Sequence, residues 1–364
     1  MTSELASSIP RLKRLLPRFR KLRVAVLGDA MLDRYILGHA IHLSPEAPVP
    51  VVEYLSEQDV PGGACNVAAN IAALGARVEA FGVVGGKKCP PASKILADEA
   101  GAALLACLRK AGIGDHGVIA DADRVTTLKT RVIAKKHQVV RVDRERREPL
   151  SPKTEERLFS LLAGALKNLD GLVLSDYDKG LLGEEFADRV LHAAHKLKIP
   201  VFVKPKTSRL FAYRGVRVIV CNAKEAAQYV SRALAEEKPL EEAGRALLAH
   251  FGCAAVVITR GEHGMSIFEE DSPRHFQIPA LRFDVTYARI GKPGIERGSE
   301  GRQVFDHTGA GDTVLSTLSL ALAGGASLRE AAVLANTAAG VVVGKLGTAT
   351  VTPQELAAAL EEVR

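Results

Sequence analysis

From Glu155 onward, helix-type and strand-type hydrophobic patterns take turns along the chain, and this alternation limits the possible folds more than any other feature. The pattern predicts helix 155–167 before strand 171–175, helix 183–197 before strand 200–203, and strand 217–221 before helix 223–234. Helix 239–250 then leads to strand 254–259, and the apolar stretch from Val314 to Ala323 reads as a further helix. Upstream, Val24 to Gly28 and Val78 to Val84 read as strands, and Ala64 to Leu74 and residues 99–111 as helices. Such an order implies an α/β fold, a mostly parallel sheet with helices on both faces. Ligands of these sheets bind beyond the carboxyl ends of the strands. Gly28-Asp29, Ser175-Asp176, Asn222 and Thr259-Arg260-Gly261 all fall at predicted strand ends.

Four stretches fall outside the alternation. Residues 35–60 alternate apolar and polar around Pro45, Pro48 and Pro50 and read as edge strands or a lid, and residues 125–143 alternate as antiparallel strands that form the second part of a small β lid. Residues 86–97 and 282–302 are rich in Gly, Pro and basic side chains and read as surface insertions. The whole of 1–364 is expected to form one domain.

The run Asp306-His307-Thr308-Gly309-Ala310-Gly311-Asp312-Thr313 carries the most chemistry. A small-residue turn feeding a helix points backbone N–H groups at one spot, where the helix dipole also favours negative charge. The amides of Gly309, Ala310 and Gly311 would hold an anion, and Asp312 in the first turn would sit beside it. An anion site with an adjacent carboxylate suits a hydroxyl attacking a phosphoryl group. The same residues also read as a glycine-rich loop with an Asp that only caps a helix.

Composition narrows the remaining classes. The 364 residues are 47% hydrophobic and 25% charged, with a formal charge of +7. The basic residues between Arg11 and Arg23 read as the solvated face of a helix that buries Leu12, Leu15 and Leu16, and no aromatic interleaving points to nucleic acid. Five widely spaced cysteines form no metal or disulfide spacing and suit reduced thiols in a cytoplasm. Neither a membrane-spanning run nor the apolar core of a signal peptide is present. Gly28 to Asp33 lacks the G-x-G-x-x-G of a dinucleotide-binding oxidoreductase.

Four motifs in order resemble the ribokinase-like (PfkB) family of sugar kinases: Gly62-Gly63-Ala64-Cys65-Asn66, Asn222-Ala-Lys-Glu225, Thr259-Arg-Gly-Glu-His-Gly264 and Asp306 to Thr313. The resemblance spans about Arg23 to Leu360 and implies a three-layer sandwich with ATP and Mg²⁺ as cofactors. Three further stretches, Gly28 to Tyr35, Ser44 to Val51 and Leu174 to Gly180, are similar to the heptose-7-phosphate kinase branch. That branch phosphorylates D-glycero-β-D-manno-heptose 7-phosphate at O1 on the way to ADP-heptose and lipopolysaccharide. Many of its members carry a nucleotidyltransferase domain, and the end of this chain at Arg364 is read as the stand-alone kinase form.

The resemblance assigns roles residue by residue. Asp312 would be the base and Gly309–Gly311 the anion site. Asp33, Gly62, Gly63, Asn66, Arg141, Asp176 and Lys179 would bind the sugar phosphate, with Arg34, Lys129, Arg131 and Lys206 as other cationic candidates. Asp33 also reads as a turn-capping residue, and Asn222 with Glu225 as a helix cap and a surface charge. By resemblance Asn222 and Glu225 lie near Mg²⁺ through water and near the ATP phosphates, Thr259, Gly261 and Gly264 form the nucleotide loop, and Asn336 approaches the adenine. Lys204 stands where heptose kinases usually have Asp, His42 where Arg is usual, and His307 is also a departure. A homodimer formed through lid edges is expected. Another sugar as substrate, such as fructose 1-phosphate or ribose, and a catalytically silent regulator are the remaining alternatives.

Overall fold

A computed structural model describes residues 3–362 apart from 90–93, 135–136, 207–212, 232–236, 282–307 and 346. The segment 282–302 and His307 therefore lie outside the described residues. The chain opens with α1 (Ser3–Leu15) and a short 3-10 turn, followed by β1 (Arg23–Gly28), β2 (Ala30–Leu43), β3 (Pro50–Gly63) and α2 (Ala64–Ala73). Next come β4 (Arg77–Cys89), β5 (Lys94–Ala97), α3 (Glu99–Lys110), β6 (Gly114–Asp121), β7 (Thr127–Ala134) and β8 (His137–Arg144). The alternating part comprises α4 (Pro152–Leu166), β9 (Gly171–Ser175), α5 (Glu184–Lys196), β10 (Val201–Lys204), β11 (Val218–Asn222), α6 (Ala223–Tyr229), α7 (Glu237–Phe251) and β12 (Ala255–Thr259). β13 (Met265–Glu269), β14 (Phe276–Ile278), α8 (Ala310–Ala323), α9 (Leu328–Val342) and α10 (Pro353–Glu362) complete it.

The large sheet runs β14-β13-β12-β11-β10-β9-β1-β4-β5, with β6 also paired to β4. β1, β4, β6 and β9 to β12 are parallel, and β5, β13 and β14 are antiparallel additions. Successive side chains of a strand point to opposite faces, so each central strand feeds two cores. Val24 and Val26 of β1 join the core formed with α1, α2, α3, α8, α9 and α10. Ala25 and Leu27 join the core formed with α4, α5, α6 and α7. β11 divides the same way, with Val218 and Val220 on the first face and Ile219 and Cys221 on the second. Near-continuous apolar runs follow from burial on both faces.

Helix starts follow local chemistry. Ser151 caps α4 with Pro152 at its first position, and Asp98 caps α3 by accepting from the Gly101 N–H at 2.8 Å. Ser327 and Glu330 form a reciprocal capping box on α9. Leu12 and Leu15 of α1 and Leu16 just after it are buried as the sequence predicts, and Arg11 on the polar side pairs with Glu330 at 2.6 Å.

The second sheet, ordered β3-β2-β7-β8, is the expected lid. Its strands are not all antiparallel, because β7 lies parallel to β2 while β3 and β8 are antiparallel to their neighbours. Asp33 sits inside β2, opposite Val60 of β3 and Lys129 of β7, so it does not cap a turn. The break falls earlier, at Gly28-Asp29, where β1 ends and the chain passes into the lid. Within the expected surface insertion 86–97, β4 continues to Cys89 and β5 returns against it in register. Its arms are paired backbone, from Gly86 with Ala97 to Cys89 with Lys94. No described helix is long and apolar enough to cross a membrane.

The crossing of β1, β9 and α2 depends on Gly28. A Cβ there would lie 2.1 Å from the Ser175 carbonyl oxygen and 2.9 Å from the Ala64 Cβ. We expect Gly28→Ala to destabilise the protein by about 2 kcal/mol or more through overpacking, seen as a lower urea midpoint with an unchanged slope.

Candidate active site

The carboxyl ends of β12, β11, β10, β9 and β1 stand side by side, because the register pairs Asn222 with Thr259, Lys204 with Ser175 and Ser175 with Gly28. The strand ends singled out in the sequence thus form one continuous edge. Gly309 delivers α8 to this edge. Its φ of 86° is left-handed, and a Cβ would lie 2.9 Å from Asn66 Nδ2, so both backbone and space favour glycine. The Gly309 carbonyl accepts from the N–H groups of Asp312 and Thr313, which starts α8 with Ala310 and Gly311 in its first turn.

Asp312 is 4% exposed and is held by three side chains from three elements. Asn66 Nδ2 of α2 donates to Oδ2 at 2.8 Å. Tyr177 Oη, just past β9, donates to Oδ1 at 2.6 Å. Lys204 Nζ, at the end of β10, pairs with Oδ1 at 2.7 Å. Behind them Thr313 donates to Asn70 Oδ1 at 2.9 Å and Ser316 donates to the Val67 carbonyl at 3.0 Å, which locks α8 to α2. Burial works against the charge on Lys204, but Asp312 and Tyr177 outweigh it and the ammonium is held well above its ordinary pKa. Burial and then Asp312 keep the Tyr177 phenol protonated as a donor.

Tyr177 and the Lys204 contact were not singled out as site features in the sequence. Tyr177 lies within the heptose-kinase-like stretch, but nothing in its spacing reveals that it reaches Asp312, 135 positions away.

Asp29 builds the turn that carries Tyr177. Its Oδ2 accepts from the Tyr177 N–H at 2.8 Å and the Lys179 N–H at 3.3 Å. Asp176 faces inward, with Oδ2 accepting from buried Tyr213 Oη at 2.7 Å and Oδ1 from the Asp178 N–H at 2.8 Å. Both its oxygens are therefore engaged by groups of the protein.

On the lid, Asp33 pairs with Arg131 at 2.8 Å, and both are buried. Burial raises the Asp33 carboxyl above its ordinary pKa, against the pull of Arg131, and Asp312 lies close enough to add to the rise. Gly62 approaches Asp33 so closely that a Cβ would lie 2.8 Å from its carboxylate. Gly63, at φ 56°, turns β3 into α2. Glu145 gathers Lys179 at 2.8 Å, Arg147 at 3.1 Å and Lys129 at 3.2 Å. Despite partial burial, those three cations hold its carboxyl down at about 2. Lys179 and Lys129 thus converge on Glu145, and Asp143 links Lys129, at 3.0 Å, to Arg141, at 3.0 Å, on the exposed strand β8.

On the other side of Asp312, Asn222 and Glu225 form a reciprocal capping box on α6, and Lys206 reaches Glu225 at 3.3 Å. Thr259 ends β12 and donates to the Cys221 carbonyl at 3.4 Å. Gly261 and Gly264 turn the chain at positive φ, and a Cβ on Gly264 would meet the Ile278 carbonyl oxygen at 1.9 Å. Asn336 is buried on α9 and donates to the Pro279 carbonyl at 2.9 Å.

Residues 21–355 match the family described as pfkB family carbohydrate kinase. The bifunctional protein HldE of Geobacter sulfurreducens is 42% identical over 339 residues, covering 93% of the chain and 63% of that relative. HldE of Nitrosococcus oceani is 40% identical over 347 residues, covering 95% and 65%. The chain spans less than two thirds of the length of these relatives. Phosphofructokinase-2 from Escherichia coli in complex with substrates and products aligns with a TM-score of 0.71 at 19% identity, covering 94% of the chain and 98% of that structure. Arabidopsis thaliana ribokinase complexed with ribose and ATP aligns at 0.67 and 17%, covering 93% and 99%. These structures show the fold, which is ribokinase-like.

Asp29 yields a pH prediction. Burial, then the charge of Asp176, pushes its carboxyl up from 3.8 to about 6. Between these values the folded state holds a proton that the unfolded chain has released, so this residue's contribution to stability falls as pH rises through the window. The stability difference between wild type and Asp29→Asn should therefore move by about 2 kcal/mol in favour of the variant from pH 4 to 6.5. Urea unfolding at both pH values measures it, and a constant offset from the new side chain cancels.

Proposed function

The chain belongs to the pfkB family of carbohydrate kinases, and from that premise we propose that it transfers the γ-phosphoryl group of ATP to O1 of D-glycero-β-D-manno-heptose 7-phosphate. The observation that carries the reading is the buried Asp312 carboxylate in the first turn of α8, directly after the left-handed Gly309. Its neighbours hold it where a hydroxyl and a phosphoryl group can meet. Asp312 accepts the O1 proton as O1 attacks phosphorus, and the Ala310 and Gly311 amides stabilise the developing negative charge. Asp33 and Asn66 hold sugar hydroxyls. Gly62 and Gly63 let the backbone come close.

The cations around Glu145 support a phosphorylated sugar. Lys129 and Lys179 already hold one carboxylate there, and a sugar phosphate presents the same kind of partner. The stretches 28–35, 44–51 and 174–180 support the heptose branch in particular.

ATP would lie along the β11 and β12 ends, its phosphates towards Asn222 and Glu225 and its base towards Gly261, Gly264 and Asn336. Among the described residues no three His, Cys, Asp or Glu side chains cluster as a metal cage. One carboxylate, Glu225, beside an Asn suits a Mg²⁺ that arrives with the nucleotide and keeps its waters. When bound, Mg²⁺ neutralises phosphate charge. The lid sheet excludes water and so limits ATP hydrolysis. Its exposed Ile41, Leu43, Tyr54, Leu55, Val140 and Val142 support a homodimer in which two lids meet.

The test is ADP release with ATP and Mg²⁺ on a sugar panel. Turnover with heptose 7-phosphate, and not with the unphosphorylated heptose, fructose phosphates or ribose, is the expected result. Turnover with one of the others would leave a pfkB kinase of different specificity. No turnover with any sugar would favour a silent regulator. Asp312→Asn should lower kcat about 10³-fold or more while ATP still binds in calorimetry. Separately, Leu43→Glu with Val142→Glu should shift the sedimentation of the protein from dimer to monomer.

A further inference from the structure

Lys204 occupies a position that the roles above leave unused. Its Nζ lies 2.7 Å from Asp312 Oδ1, 3.4 Å from Tyr177 Oη and 5.1 Å above the Tyr177 ring. It also lies 3.4 Å from where a Cβ on Gly311 would stand, so the ammonium stands beside the small-residue turn. One cation thus pairs with the carboxylate and stands beside the turn proposed to hold the phosphoryl group. It is largely shielded, with 17% of its side chain exposed.

The electrostatics of transfer give this placement a purpose. A γ-phosphoryl group brought beside Asp312 sets like charges close together, which at about 4 Å costs on the order of 4 kcal/mol near a protein surface. A carboxylate offers about four lone-pair sites, and Asn66, Tyr177 and Lys204 occupy three of them. The attacking hydroxyl has to take the remaining site or the one that Lys204 leaves.

We propose that Lys204 is a catalytic residue whose ammonium neutralises Asp312 in the free enzyme and moves onto the γ-phosphoryl oxygens as the sugar hydroxyl takes its place. The sugar O–H bond breaks and its proton passes to Asp312. The sugar oxygen bonds to the γ-phosphorus, and the bond from phosphorus to the bridging oxygen breaks with its electron pair leaving on ADP. Lys204 stays charged throughout and exchanges one anionic partner for another. Asn66 and Tyr177 keep the carboxylate oriented while this happens.

The inference rests on the kinase reading, and a test with two readouts separates them. In the full-length protein, Lys204→Met should lower kcat by about 10² to 10³-fold, with the sugar KM changed less than threefold. In calorimetry the same variant should lose at least tenfold of the wild-type preference for AMP-PNP over ADP, a measurement that needs no sugar. Lys204→Arg should recover part of kcat, and ethylammonium should stimulate Lys204→Ala where sodium chloride of equal ionic strength does not. Active wild type with Lys204→Met within threefold of its kcat would overturn the inference alone. So would a loss of kcat with AMP-PNP preference intact and no ethylammonium rescue, since that marks a packing role. Wild type that neither binds AMP-PNP nor turns over would overturn the kinase reading and this inference together.

Discussion

The Asp312 carboxylate is the point at which the separate layers of this molecule meet. It takes Asn66 from α2, Tyr177 from the turn after β9 and Lys204 from the end of β10. A buried carboxylate left without partners is strongly unfavourable, so these contacts are required wherever the charge is kept. Each partner depends in turn on something else. Asn66 needs the Gly63 turn, Tyr177 needs Asp29, and Lys204 needs β10 to stop level with β9.

Charge pairs stand on both sides of Asp312. Towards the lid stand the Asp33–Arg131 pair and the cations collected by Glu145. Towards β11 stand Glu225 and Lys206. Nearly every charged group in this region has an opposite partner within the protein. A ligand that enters must therefore exchange these contacts for its own, which favours anions able to replace a carboxylate and hydroxyls able to replace a donor.

The lid shows how the same sequence pattern admits different pairings. Alternation at 125–143 reveals strands but not their neighbours, and β7 pairs in parallel with β2 because the chain crosses back through β4, α3 and β6 first. The hairpin at 86–97 teaches the same lesson. Lys87 and Lys88 look like loop residues, yet their backbones pair with Leu96 and Ile95. Polarity there reports that the arms reach solvent and says nothing about backbone pairing.

The sequence by itself determined the layered architecture, since period-2 and period-3.6 patterns depend only on which faces are buried. It also determined the position of Asp312 behind a turn that needs a left-handed Gly309, because glycine chemistry and helix-start chemistry are local. The strand ends that line the site were legible for the same reason. What the tertiary structure decided is which distant residues reach that carboxylate. Tyr177 and Lys204 meet Asp312 across 135 and 108 positions, and Glu145 rather than solvent holds Lys129 and Lys179. Contacts of this kind follow from strand order and register, which no local pattern of side chains encodes.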